Sequence, residues 1–445
     1  MPAKGAHVDV IVGGGVVGLS VAWRMARSGR AVTVVDPAPG RGASYAAAGM
    51  LAPVSEVTFT EAPLLRLGVA SLRRWPAFAA ELAADAGLTP DATPVQDAAP
   101  GSDAPPLSDA RPGSDTGPGS GVGPGSGVAP GSRPAPGSGP APGSGARPGV
   151  SGAGPGFADV RGLDLRADGT LDVAFGADDL EALGELAAYM EELGLPVERL
   201  TGRECRRLEP MLAPSVRGGL LAPGDAWVDP RRVTAALLSA LERRGVPVVR
   251  ARASELLRDG DRVSGVRLAP PESENGTGGE VRGERVVLAA GAWSSELAEV
   301  PVRPVKGQIM RLRSPQPLLS RCVRGTVHGS SVYLVPRGDG ELVVGATQEE
   351  MGFDTKVTAG GLYELLRDAR ELVPGVTELE VADVVAGLRP GTPDNLPLIG
   401  PSGTPGLVYA TGHHRGGVLL APLTTAMLLG EESELAALCA PGRFS

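Results

Sequence analysis

At 445 residues and 42% hydrophobic content, the chain is long enough for two or three domains with a substantial core. Its formal charge of −9, with no basic run, argues against a nucleic-acid partner. Cys205, Cys322 and Cys439 are the only cysteines and lie far apart, which suits neither a disulfide framework nor a zinc knuckle and agrees with a reduced, cytosolic compartment.

In chain order, residues 1–10 carry no apolar leader ahead of the first strand. Val8, Val10, Ile11 and Val12 form an apolar run that predicts a strand buried on both faces. Gly13-x-Gly15-x-x-Gly18 follows, with Gly14 and Val16 inside the turn. Leu19, Ala22, Trp23 and Ala26 then repeat at helical spacing. Ser28-Gly29 stops the helix, AVTVV at 31–35 is a second strand, and Asp36 ends it. In such a turn the first glycine makes the bend, the second admits a pyrophosphate, and the third lets helix and strand pack closely. The helix N-terminus offers N–H groups to the phosphates. Asp36, 18 residues after Gly18, is placed to accept from ribose hydroxyls, which favours NAD or FAD over NADP.

Residues 40–53 are dominated by small side chains, which suits backbone packed against a ligand. A helix is predicted over 62–87, with Trp75 and Phe78 in the core. From 90 to 157, PGSG, APGS and GPGS units recur and aromatic residues are absent until Phe157; this predicts a disordered insertion, since too little surface is available to offset ordering entropy. Residues 157–175 predict a hairpin turning at Asp168-Gly169, and 178–194 a helix capped by Asp178. Asp229-Pro230 predicts an N-cap and N1 pair for a long helix. Residues 254–270 predict a small antiparallel unit, and 326–349 predict two strands joined by the RGDG turn. LVYA at 407–410 leads through the glycine-containing turn TGHHRGG into a buried helix. No run of 18 apolar residues exists, so no membrane span is predicted. The adjacent His413 and His414 have no third ligand at metal spacing, so no metal site is expected.

Seven stretches taken together, GGGVVG, GASYAAAGMLAP, VVLAAGAWS, PVRPVKGQI, YLVPR, GLRPGTPDNLPLIG and ATGHHRGGVLLAP, resemble the FAD-dependent amine oxidases of the D-amino acid oxidase superfamily. Within it the chain is most similar to the glycine oxidases of thiamine biosynthesis, over nearly all its length except 90–157. The resemblance implies an α/β (α+β overall) fold. A Rossmann-like FAD domain would be assembled from three segments (1–89, 209–300 and 384–445), and a mostly antiparallel substrate domain from 158–208 and 301–383. Arg389, in GLRP, matches an arginine that binds the substrate carboxylate, a task for which a planar guanidinium is well suited. Tyr333 matches a tyrosine whose hydroxyl lies near the substrate, and Arg415 a second arginine near the carboxylate and flavin. Gln348 stands where the family often has an apolar pocket residue.

For FAD, the resemblance implies contacts from Gly13, Gly14, Gly15, Val16, Gly18, Asp36, Ser44, Ala47, Ala48, Gly49, Met50 and Leu51, with Ser254 contacting the adenine through its backbone. The turn through His414, Arg415, Gly416, Gly417, Val418 and Leu419 would cap the pyrimidine end of the flavin, where N–H groups stabilise negative charge on the reduced ring. Cys205, Cys322, Cys439 and His7 do not match the positions of covalent attachment in relatives, so FAD is expected to be noncovalent. The implied reaction takes a small amino acid and O2 to an imino acid and hydrogen peroxide; the imine hydrolyses or passes to a thiazole-forming partner. A homo-oligomer, a tetramer by resemblance, is expected. A D-amino acid dehydrogenase with a quinone acceptor and a sarcosine oxidase-like enzyme share the motifs. A non-catalytic nucleotide-binding scaffold is the reading from another class.

Overall fold

The computed structural model describes residues 8–56, 61–88, 161–270 and 278–444; His7 and the 90–157 segment lie outside them. Strand Val8–Val12 runs parallel between Ala31–Val35 and Arg285–Leu288. Among the described residues this sheet has six strands, in the order Leu398–Pro401, Leu407–Thr411, Arg285–Leu288, Val8–Val12, Ala31–Val35 and Val248–Val249. Only its Leu398–Pro401 edge is antiparallel. Side chains alternate across such a strand, and here both faces are covered. Ile11 packs with Trp23, Trp75, Phe78 and Leu237 beneath the helices. Val10 and Val12 pack with Val263 and Val266 of a three-stranded layer, Ala253–Asp259, Arg262–Leu268 and Glu280–Arg282. Double burial is why these strands read as unbroken apolar runs.

Helix Val16–Arg27 carries Trp23, whose ring meets Phe78 edge-on at 5.1 Å and whose Nε1 donates to Asp85 at 2.9 Å. Helix Gly417–Leu428 is buried at ten of its twelve positions and contains Pro422. Proline interrupts the hydrogen-bond ladder of a helix. Here Ser71 inserts into the ladder: its Oγ donates to Leu419 O at 2.6 Å and accepts from Leu423 N at 3.3 Å. Trp75 Nε1 donates to the same carbonyl at 3.0 Å. These bonds fix this helix to Ala62–Leu72 and Trp75–Ala86.

A second sheet has eight strands, ordered Glu380–Gly391, Arg303–Arg313, Glu341–Gly345, Ser330–Pro336, Cys322–Val327, Thr170–Ala174, Gly218–Ala222 and Glu198–Thr201. Every pairing is antiparallel except Cys322–Val327 with Thr170–Ala174. Helix Ala359–Leu372 covers one face, with Leu365, Ala369 and Leu372 packed on Met310, Val323, Leu334 and Val344.

Three local expectations are corrected. No hairpin forms at Asp168-Gly169: Thr170–Ala174 pairs with Gly218–Ala222 and Cys322–Val327, and Arg166 bridges only to Trp227. The helix Ala177–Glu192 is capped by Gly176 rather than Asp178. Asp179, at N3, reaches back to accept from Gly176 N at 2.9 Å and Phe175 N at 3.0 Å, satisfying donors that the helix leaves open. Gly218–Ala222, expected with the nucleotide domain, belongs to the eight-stranded sheet, where its backbone groups find partners on both sides. Among the described residues no helix is long and apolar enough to cross a membrane.

Candidate active site

Strand register decides what one face of the eight-stranded sheet presents. Asp172 lies opposite Arg324, Arg324 opposite Tyr333, Tyr333 opposite Gly345, and Gly345 opposite Ile309. Gly307, two residues from Ile309, lies opposite Gly387, and Arg389 is two residues further along that strand. Since side chains alternate, Asp172, Arg324, Tyr333, Ile309 and Arg389 share one face. The glycines clear space on it. A Cβ on Gly307 would lie 2.5 Å from Arg389 Nη2 and 2.6 Å from Cζ. A Cβ on Gly345 would lie 2.6 Å from the Tyr333 ring.

This face floors a cavity of about 1200 Å³ that reaches the six-stranded sheet. That exceeds the roughly 300–1,000 Å³ of an ordinary small-molecule site, so a dinucleotide and a substrate fit together. At its far end lie Val12, Gly13, Gly15, Val16, Val17 and Asp36. Gly13 has φ +113°, and a Cβ there would lie 2.5 Å from the Ala289 carbonyl carbon; only glycine makes this turn. Asp36 accepts from Gly14 N and Ala38 N, both at 2.7 Å, which holds the turn beside the strand end. Ser44 Oγ accepts from Val16 N at 2.9 Å. This cradle fits FAD: Gly13–Val16 would hold the pyrophosphate and Asp36 the adenosine ribose. Cys205, Cys322 and Cys439 are buried and do not line the cavity.

Three arginines occupy the substrate end with different partners. Arg415 Nη2 pairs with the Glu61 carboxylate and donates to Glu56 O at 3.3 Å. Arg324 Nε is 3.3 Å from Asp172 Oδ2. Arg389 donates to the backbone carbonyls Thr347 O at 3.2 Å and Lys306 O at 3.5 Å, is hydrogen-bonded to the Tyr333 hydroxyl, and has no carboxylate partner among the described residues. It is therefore the cation of this cluster left for an anionic ligand. Burial pushes the Tyr333 hydroxyl up to about 12, despite Arg389 beside it, so it remains a donor. Burial pushes His413 down to about 3, and its Nε2 bonds Thr424 Oγ1 at 2.9 Å. Burial and then the Arg415 and Arg389 charges push His414 down to about 4. Both imidazoles are neutral.

The cavity brings together most of the residues singled out in the sequence: Tyr333, Arg389, Arg415, Gln348, Ser44, Ala47, Ala48, Gly49, Met50, His414, Gly417 and Val418 all line it. Gly14, Gly18, Leu51, Gly416 and Leu419 do not line it. Gly14 and Gly18 support the turn from behind, and a Cβ on Gly18 would overlap Gly13 O. Leu51 and Leu419 are core residues. Ser254 does not line the cavity, though its neighbours Arg252 and Ala253 do; its Oγ donates to Arg267 O at 3.3 Å. Sequence reasoning missed Glu56, Arg324 and Gly307. Glu56 does carry a signal, being the first acidic residue after Asp36, at the end of a run rich in small residues.

The family model for FAD dependent oxidoreductases, DAO, matches residues 10–99 and 157–431. A glycine oxidase from Geobacillus kaustophilus is 30% identical over 441 residues, covering 97% of this chain and 94% of the relative. The crystal structure of glycine oxidase from Geobacillus kaustophilus matches with a TM-score of 0.74 and 27% identity, over 98% of this chain and 99% of that one. A bifunctional protein ThiO/ThiG from Nostoc sp. is 38% identical over 221 residues, 49% of this chain. The match spans 33% of that bifunctional relative. A family match of this extent, over a chain whose cavity joins a glycine-turn dinucleotide cradle to an arginine and tyrosine floor, places the protein in the DAO family of FAD-dependent oxidoreductases.

Proposed function

We propose that the chain oxidises glycine and other small amines or D-amino acids to the imino acid, with oxygen as acceptor and hydrogen peroxide as product. The observation that carries this reading is Arg389, a cavity arginine without a carboxylate partner, next to a protonated Tyr333. A guanidinium binds a carboxylate through paired hydrogen bonds, and a tyrosine hydroxyl adds a third donor. Together they would hold the substrate carboxylate against the sheet and fix the position of Cα. FAD, when bound, supplies the oxidising group that takes the Cα hydrogen with its electron pair. Neutral His413 and His414 add no positive charge that would compete with Arg389 for the carboxylate. Gln348 lines the cavity and gives its wall a polar side chain.

Hand-off of the imine to a thiazole synthase is part of the same proposal. Its support is that the matched region forms one third of relatives named bifunctional ThiO/ThiG. Assembly as a homo-oligomer belongs to it as well, and light scattering tests that part. The deciding experiment adds glycine, sarcosine, D-alanine and D-proline anaerobically to the purified flavoprotein. Flavin bleaching by glycine, then peroxide release on admitting air, is the expected result. A flavin that no small amine bleaches overturns the reading.

A further inference from the structure

Glu56 faces the cavity with Arg324, Tyr333, Arg389 and Arg415, yet among the described residues its carboxylate makes no hydrogen bond or ion pair. The other carboxylates around the cavity are differently placed. Glu61 is tied to Arg415 and Asn395, Glu349 to Thr347, Gln308 and Lys306, Asp368 to Arg367 and Glu296 to Arg252. Asp36 holds the nucleotide turn, and Glu364 is exposed at the rim.

The position of Glu56 is built by a second carboxylate. Asp225, buried in the loop before the strand Ala226–Trp227, accepts from Val54 N at 3.3 Å and Ser55 N at 3.1 Å. Arg415 then holds Glu56 O at 3.3 Å. The backbone on either side of the Glu56 Cα is thus fixed from two directions while its carboxylate is left open to the cavity. A partly buried carboxylate without a hydrogen-bond partner is costly, and a ligand cation would reduce that cost.

We propose that Glu56 binds the substrate ammonium group and accepts its proton. This rests on the oxidase reading above. The carboxylate of the substrate lies on Arg389 and its nitrogen lies toward Glu56. One N–H bond of the ammonium breaks and an O–H bond forms on Glu56. The neutral amine keeps the lone pair, which drives departure of the Cα hydrogen with its electron pair to FAD, the oxidant of the family. The proton on Glu56 returns to solvent when the imino acid leaves. Glu56 takes no part in removing the Cα hydrogen.

The surroundings suit a proton acceptor. Burial raises the Glu56 carboxyl above the usual range, with Glu61 adding to that rise, while Arg324, Arg415 and Arg389 pull it down. Tyr333, which also lines the cavity, and the buried Cys322 and Asp225 are close enough to feel its charge. The rise outweighs the pull of the three arginines and leaves a carboxylate more basic than one in water.

The test compares Glu56→Gln with wild type using glycine and glycolate, which differ only in the amine. Glycolate binding is read from perturbation of the flavin spectrum, and glycine oxidation from peroxide. For Glu56→Gln the expected kcat/KM for glycine at neutral pH falls about 10–100-fold, the scale of a lost charged hydrogen bond. The deficit narrows as the pH approaches the pKa of the amine itself, because free amine then needs no acceptor. Glycolate binding stays within about twofold of wild type, on the same scale of hydrogen-bond energies. Glu56→Asp, which keeps the charge, recovers part of the loss. An equal loss for glycine and glycolate, or no loss for glycine, overturns the proposal. Wild-type flavin that glycine fails to bleach would instead overturn the oxidase reading.

Discussion

The Arg389 guanidinium lies over Gly307, the residue on the neighbouring strand that has no side chain to block it. The PVKG stretch therefore matters to the site through an absence. Gly307→Ala puts a methyl group 2.5 Å from Nη2, closer than any real contact, and forces the guanidinium off the strand. We expect kcat/KM for glycine to fall about 10–100-fold, the cost of a displaced charged hydrogen bond, with FAD still bound. On an Arg389→Ala background the same change adds little, because both substitutions remove one interaction. Steady-state kinetics of the two single variants and the double variant check this; additive losses would separate Gly307 from Arg389.

Tyr333 rests on Gly345 much as Arg389 rests on Gly307. With its hydroxyl pushed up to about 12 by burial, it donates throughout the working pH range. Tyr333→Phe removes one neutral donor and leaves the ring in place. The expected effect is a rise in KM of roughly 2–12-fold, matching about 0.5–1.5 kcal/mol. The pH profile of kcat/KM below pH 10 is unchanged, since the phenol does not titrate there.

Legibility of this molecule in its sequence follows the range of the interactions involved. The Gly13–Gly18 turn could be read because strand, turn and helix are contiguous and each constrains the next. Tyr333 and Arg389 could be read only through their motifs; alone, each is an aromatic or a cation on a strand. The shared face that unites them depends on the pairing of six strands from three chain regions, and no local period encodes that register. Glu56 is more remote still. Its placement depends on Asp225, 171 residues from Val54 in the chain, and on Arg415, which lies 359 residues from Glu56. The hairpin at Asp168-Gly169 failed for the same reason. The turn signal was present, but Thr170–Ala174 found better partners at Gly218–Ala222 and Cys322–Val327.

The nucleotide turn makes a sharper prediction about cofactor than about catalysis. Gly13 combines a φ of +113° with a Cβ position 2.5 Å from the Ala289 carbonyl carbon. Gly13→Ala therefore pays both a backbone and a steric cost, of the order of 1–3 kcal/mol for the backbone alone. The turn cannot relax without moving Gly14 N away from Asp36. The purified variant should be pale, with an FAD to protein ratio well below that of wild type by absorbance, and added FAD should restore little activity. A fully yellow Gly13→Ala protein would dissociate this turn from the cofactor.

His413 gives the fold a defined acid sensitivity. Its ring is buried, bonds Thr424 on the helix Gly417–Leu428, and is held neutral down to about 3. An unfolded chain takes up a proton on this histidine near pH 6.5, while the native state does not. Between those values the unfolded state binds more protons, so stability falls as pH falls, beginning at about 6.5. The slope attributable to one proton is about 1.4 kcal/mol per pH unit. In His413→Gln the bond to Thr424 can persist but the titration cannot. Denaturant unfolding of both proteins from pH 4 to 7 should therefore show a slope shallower by up to that amount in the variant, whatever constant offset the substitution adds. His414, pushed down to about 4, supplies a second contribution of the same sign that survives in the variant. Identical slopes in the two proteins would mean that His413 is protonated in the folded state, and with it that the turn carrying Arg415 holds an extra positive charge beside the carboxylate site.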